Sequence, residues 1–200
     1  MSFPRGVAVS PDGDSVYVAS DFDDAVVSFD RNSATGRLSG RGCIADRGDA
    51  VGCGATEKGL KGARGIAVSP DGLSAYTTSS TDGAVVSFDR NPSRGALVGR
   101  GCIADDGSPA GCGQTTTGLV GARRVAVSPD GRSVYATGFS SFAIVRFRRE
   151  DLMPPRLTLK GSKTQRSSRL VKLKARTDED TTAKARGTVT IPLVGRGRGR

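Results

Sequence analysis

A 200-residue chain with 36% apolar residues, 28 glycines, no histidine and no tryptophan has room for a core, but lacks the side chain on which most acid–base and metal chemistry depends. No run of 18 apolar residues occurs, so no membrane-spanning helix is expected, and MSFPRGVAVSPDG at the start has neither the charged nor the apolar region of a secretory signal. The net charge of +10 is uneven: residues 1–151 carry 17 basic and 17 acidic side chains, whereas residues 152–200 carry 13 and 3, so the basic character belongs to the tail alone.

The sequence VAVSPDG at Val7–Gly13 returns as IAVSPDG at Ile66–Gly72 and as VAVSPDG at Val125–Gly131, each time 59 residues on. Aligned without gaps, residues 7–65 and 66–124 are identical at 37 of 59 positions, and a third copy runs over 125–149 before stopping. Each unit reads as four short strands. In the first unit these are Gly6–Ser10, Ser15–Ala19, Ala25–Asp30 and a fourth from Leu38 toward Ile44, with period-two alternation in the third. The turns between the first two strands are Pro11-Asp12-Gly13, Pro70-Asp71-Gly72 and Pro129-Asp130-Gly131. Proline presets φ, aspartate bonds its own backbone and glycine accepts positive φ, so these residues read as hairpin turns. Four-stranded antiparallel units in series predict an all-β fold, a partial β-propeller of about three blades. Three blades do not close a ring. The chain is therefore expected to be a fragment of a longer protein, beginning inside a repeat, or to associate through open strand edges with other repeats or other copies.

Cys43 and Cys53 recur at the repeat offset as Cys102 and Cys112. Pairing within each copy, 43 with 53 and 102 with 112, closes a Gly- and Asp-rich loop between one unit and the next. Free thiols are the alternative. A four-thiolate zinc site is the third reading, although zinc pairs are usually spaced more tightly. Disulfides would imply an oxidising compartment. Asp21, Asp23 and Asp24, and Asp46 with Asp49, raise the question of calcium. The second copy has Ser80, Gly83 and Ser108 where the first has Asp21, Asp24 and Asp49, so solvated turn carboxylates are the expected reading. The recurrences of Arg64 as Arg123 and of Asp30 as Asp89 are expected to reflect blade-to-blade pairing. No histidine triad and no GxSxG is present. No catalytic residue, cofactor site or metal site is assigned.

Met153-Pro154-Pro155 reads as a linker to a basic tail over 152–200. There Arg156–Lys160, Arg169–Ala175 and Thr188–Val194 alternate as strands of a small, incomplete β-sandwich-like module, the alternative being a solvated or partly disordered tail. The terminal GRGRGR is low in complexity and carries no aromatic residue for stacking, so nucleic acid is not the expected partner.

The pattern GVAVSPDGxSxYxxS…AVVSFDRN…GxL resembles the YVTN-type, lactonase-like repeat of bacterial β-propellers over residues 3–149. The longer form with GCIADxG…GCG…TxxGLxGAR resembles an exported actinobacterial version. That resemblance implies an extracellular or cell-envelope protein. It also implies, as one alternative, a sugar-lactone hydrolase complete only in a longer chain. The residues themselves favour a non-catalytic repeat scaffold, and a second alternative is binding of an anionic polymer or nucleic acid through the tail.

Overall fold

Small and β-branched residues between Pro-Asp-Gly turns leave the chain little choice but short strands, and short strands are what the repeats form. A computed structural model describes residues 1–46 and 52–152 and, beyond them, the backbone of two short strands. The chain falls into two compact units, Met1–Pro154 and Pro155–Arg200.

In the first unit, β1 (Pro4–Val9), β2 (Ser15–Ser20), β3 (Ala25–Arg31) and β4 (Leu38–Ala45) pair antiparallel in sequence order. The second blade repeats this with β6 (Ala63–Val68), β7 (Ser74–Ser79), β8 (Ala84–Arg90) and β9 (Leu97–Asp105). The third blade has three strands, β11 (Ala122–Val127), β12 (Ser133–Gly138) and β13 (Ala143–Arg148), before the short helix α1 (Arg149–Leu152). Nearly all of the regular secondary structure of the first unit is strand, in three sheets, as a partial β-propeller requires. One element was not anticipated. After each cysteine loop a short segment, β5 (Ala55–Thr56) or β10 (Gln114–Thr116), pairs parallel with the fourth strand of its own blade. In the second unit, β14 (Thr158–Lys160) and β15 (Lys174–Arg176) pair antiparallel. The first lies within the expected segment Arg156–Lys160, and the second overlaps the end of Arg169–Ala175 and runs one residue past it. Thr188–Val194 and GRGRGR lie outside the described residues.

The core lies between blades rather than inside any one of them. Tyr17, Ala19, Val26 and Ile44 of the first blade meet Ala63, Ile66, Ala75, Val86 and Phe88 of the second. The same positions one repeat on, Tyr76, Val85 and Ile103, meet Val134, Ala136 and Phe147 of the third. Each blade thus shows its successor one apolar face and its predecessor the other, as alternation at period two dictates. The first strands of successive blades approach closely. A Cβ added at Gly6 would lie 2.3 Å from the carbonyl oxygen of Arg64, and one at Gly65 would lie 2.7 Å from that of Arg123. Only glycine lets the inner strands come so near.

Candidate functional site

Because neighbouring strands run antiparallel, the SPDG turn and the end of the third strand lie at one end of each blade. The turn after the second strand and the cysteine loop lie at the other. The turn itself is built as the sequence predicts. Gly13 N–H donates to the Ser10 carbonyl at 2.8 Å, Ser10 N–H donates to the Ser15 carbonyl at 2.9 Å, and Gly13 has φ of 79°. Ser10 Oγ donates to Asp12 Oδ1, which leaves Oδ2 directed at the next blade.

There Asp12 meets Arg90, the last residue of β8. The Arg90 guanidinium is fully buried and donates to Asp12 Oδ2 at 2.7 Å, Tyr17 Oη at 2.7 Å, Ser15 Oγ at 3.3 Å and the Gly72 carbonyl at 3.0 Å. Tyr17 Oη in turn donates to the carbonyl of Gly95 in the second blade at 2.7 Å. The assembly recurs one repeat later. Arg149 donates to Asp71 Oδ2 at 2.5 Å, Asp71 Oδ1 at 3.2 Å and Ser74 Oγ at 2.8 Å, beside Tyr76. The SPDG aspartate is therefore both a turn residue and half of a latch between successive blades. Sequence reasoning saw the turn and missed the latch. Its signal was present, since Arg31, Arg90 and Arg149 share the 59-residue offset of Asp12, Asp71 and Asp130.

Burial alone would raise the Asp71 carboxyl. The hydrogen bonds from Arg149, Ser69 and the Leu73 N–H outweigh it and hold the group at about 2. Asp12 is lowered in the same way, against burial, by Ser10 and Arg90. A carboxyl depressed in the folded state stabilises the fold above its unfolded value near 3.8, and that contribution is lost as pH falls toward about 2. Thermal melts are accordingly expected to hold their midpoint down to about pH 4 and fall between pH 4 and 2. The Asp71→Asn variant should show a weaker fall over that range.

At the opposite end the first strands carry a row of arginines. Register shifts between Pro4 and Gly6, between Ala63 and Gly65 and between Ala122 and Arg124 place a β-bulge at Arg5, Arg64 and Arg123 in turn. A bulge re-aims the side chain it carries. Asp21 takes Arg5 Nε at 3.2 Å and, from the next blade, Arg64 Nη2 at 3.1 Å. Blade-to-blade pairing thus accounts for Arg64. Ser80 stands where Asp21 stood, so the pattern changes at Arg123, whose guanidinium lies 3.4 Å over the Phe139 ring. The Nε atoms of Arg64 and Arg123 are buried without a hydrogen-bond partner. Asp30 pairs with Arg41, and Asp89 with Arg100 at 3.1 Å, each inside its own blade.

The cysteine loops lie at this same end. Cys43 and Cys53 are at disulfide distance, 2.04 Å, and so are Cys102 and Cys112, 1.96 Å. The described residues hold no free cysteine, and no cluster of three metal-ligating groups is found among them. Neighbouring loops touch: Lys58 Nζ donates to the Gly111 carbonyl at 3.0 Å, and a Cβ at Gly59 would lie 3.0 Å from Cys102 Sγ. Each bridge restrains a loop of about ten residues, worth about 3 kcal/mol on the chain-entropy account. Reduction should therefore lower the urea unfolding free energy by about 3 kcal/mol for each bridge opened, and the Cys102→Ser/Cys112→Ser variant should already sit lower before reductant is added.

Asp24 and Asp46, with Asp82, are not solvated turn carboxylates. Three consecutive N–H groups at the entry to β6 each take one: Leu60 donates to Asp46 at 3.0 Å, Lys61 to Asp82 at 3.0 Å and Gly62 to Asp24 at 2.6 Å. Asp46 and Asp82 are buried. Burial, with Asp46 and Asp24 nearby, raises the Asp82 carboxyl even though the Lys61 N–H opposes the shift. These groups anchor the crossing from blade to blade. Asp49 lies outside the described residues.

No family model matches the chain, and no curated protein matches it. Solved structures do. A candidate 6-phosphogluconolactonase from Bacteroides uniformis has a TM-score of 0.57 at 23% identity, covering 75% of this chain and 37% of its own. A second, from Bacteroides fragilis, has 0.55 at 20%, covering 74% and 35%. A protein of unknown function from Desulfotomaculum acetoxidans has 0.53 at 16%, covering 74% and 40%. The chain spans little more than a third of these proteins. Identities this low establish the fold alone: the first unit is part of a β-propeller shaped like the lactonase-like ones.

Proposed function

We propose that the chain is a three-blade portion of a lactonase-like propeller, and that a sugar-acid lactone is bound at the bulged ends of the first strands. The carrying observation is the repeated bulge that aims Arg5, Arg64 and Arg123 to one end, where the first strands crowd together. A guanidinium suits both the carboxylate or phosphate of a sugar acid and the oxyanion that forms when water adds to a lactone carbonyl. In that reaction a C–O bond forms to water, the ring C–O bond breaks, and the product is a carboxylate and a hydroxyl. Asp21 is held as counter-ion to two arginines, which makes it a positioning group rather than a base. The whole protein's hydrolysis therefore draws on groups outside this set. The paired cysteines fit an oxidising compartment, and the protein is placed outside the cytoplasm in this reading.

The second reading is a non-catalytic scaffold presenting rim loops. It is favoured by the latch and the loop carboxylates, which engage their polar groups in holding blades together. Binding of anionic polymers by the tail is a third reading, and it concerns residues outside the described ones. Acid release from gluconolactone, followed by pH-stat for this chain and for a longer parent, separates the first two. The lactonase reading expects a rate above the spontaneous one that falls about tenfold or more in Arg64→Ala and Arg123→Ala. A rate equal to the spontaneous one in both proteins removes it and leaves the scaffold.

A further inference from the structure

The outer face of the third blade is the surface that blades 1 and 2 use to receive a successor, but its residues have been changed. In the second blade this face is Gly65, Tyr76, Val85 and Ser87, all buried under blade 3. In the third blade the corresponding residues are Arg124, Tyr135, Ile144 and Arg146, all exposed, with Ile144 at 74%. Arg124 stands where Gly6 and Gly65 allow first strands to touch, and a Cβ at Gly65 already falls 2.7 Å from a neighbouring carbonyl. A further blade seated here would meet the Arg124 side chain where the first two blades offer glycine. Beside Arg146, Arg148 stands where the first two blades carry Asp30 and Asp89.

Among the described residues the edge of this sheet carries no fourth strand. In blades 1 and 2 the third strand pairs with a fourth, whereas β13 pairs only with β12 among the described residues. The chain turns away at α1, where the Leu152 carbonyl takes Ser87 Oγ at 2.6 Å. The Arg148 N–H is taken by Asp151 at 3.1 Å, so the open stretch is Ala143–Phe147. Glu150 is 3.8 Å from the Arg148 guanidinium, but both are well exposed and such a pair is weak.

We propose that the edge of β13 takes an extended acidic segment of a partner protein as a fourth strand. Residues 144, 146 and 148 share one face, as period two requires. An incoming strand therefore sets one apolar residue beside Ile144 and acidic residues beside Arg146 and Arg148. This inverts the charge pattern of the second blade, where Arg100 of the fourth strand meets Asp89 of the third at 3.1 Å. The same two arginines repel a strand of the LVGRG type found at Leu97–Gly101. Main-chain pairing supplies affinity, and the alternating charges supply choice. The proposal does not depend on the lactonase reading.

The probe is a fluorescein-labelled peptide of the Leu97–Asp105 sequence carrying Arg100→Glu, Gly101→Glu and Cys102→Ser. The control peptide carries lysine at positions 100 and 101. Anisotropy should show saturable binding of the acidic peptide to the full chain and at least tenfold weaker binding of the lysine peptide. In the Arg146→Glu/Arg148→Glu variant the preference should reverse, which also shows that the variant is folded. No binding of the acidic peptide, or equal binding by wild type and variant, overturns the proposal. Stronger binding of single-stranded DNA or anionic vesicles than of the peptide, lost in the same variant, would assign the face to those ligands and overturn it equally.

Discussion

Replacing Arg90 with alanine is expected to destabilise the first unit by about 3–5 kcal/mol, the usual result of removing one partner from a buried charged network. The guanidinium is fully buried, and its four contacts are to polar atoms of both blades. Its loss takes away the donor to the Tyr17 hydroxyl and to the Gly72 carbonyl inside the junction and removes the counter-charge of Asp12. At about 2–4 °C per kcal/mol for a chain of this size, the melting midpoint should fall by about 6–20 °C. Arg90→Lys keeps the charge but not the planar fork, and should recover less than half of the loss. Calorimetry on the three proteins checks both statements. The equivalent change at Arg31 is expected to matter far less. That residue, half-buried on the outer face of the first blade, donates to the Gly13 carbonyl of its own blade at 2.9 Å, and no carboxylate faces it among the described residues.

The second large effect is expected at Phe88. Its ring is fully buried between the first two blades, against Tyr17 and Val26. Phe88→Ala removes that packing and leaves a cavity bounded by two rigid sheets, at a cost of about 3–5 kcal/mol. Phe29 occupies the same position in the first blade, but its face has no described neighbour and it is only half-buried. Phe29→Ala should cost less than half as much. Urea unfolding of the two variants compares identical chemistry at a covered face and an open one. Equal losses would show that blades are stabilised within themselves rather than by one another.

How much of this was legible in the sequence depended on how local the cause was. The SPDG turns, the strand positions and the loop closed by Cys43 and Cys53 follow from residues within about ten positions of one another, and the repeat offset counted the blades. What was missed is long-range. The Asp12–Arg90 contact joins residues 78 positions apart, and nothing near either one marks the other. Only reading Arg31, Arg90 and Arg149 as a second periodic series beside the aspartates would have found it. The bulges at Arg5, Arg64 and Arg123 were hidden for a related reason: an extra residue in a strand is visible only against its partner's register. The loop carboxylates were misread because substitution between copies looked like lost ligands. Asp46 and Asp82 instead hold backbone N–H groups, a task that one carboxylate or hydroxyl can perform alone: Ser141 Oγ takes the Val120 N–H at 3.0 Å where Asp82 takes that of Lys61.

The central claim is that the SPDG aspartate is a latch between blades as well as a turn, and the chain carries its own control. Asp12, Asp71 and Asp130 make the same turn, but among the described residues only the first two face the arginine of a following blade. The direct measurement is the urea unfolding free energy of Asp12→Ala, Asp71→Ala and Asp130→Ala. All three should lose the turn's hydrogen bonds, about 1 kcal/mol. Asp12→Ala and Asp71→Ala should lose about 1–3 kcal/mol more, for a buried or half-buried arginine left without its carboxylate. Equal losses at all three positions would contradict the latch and reduce SPDG to a turn.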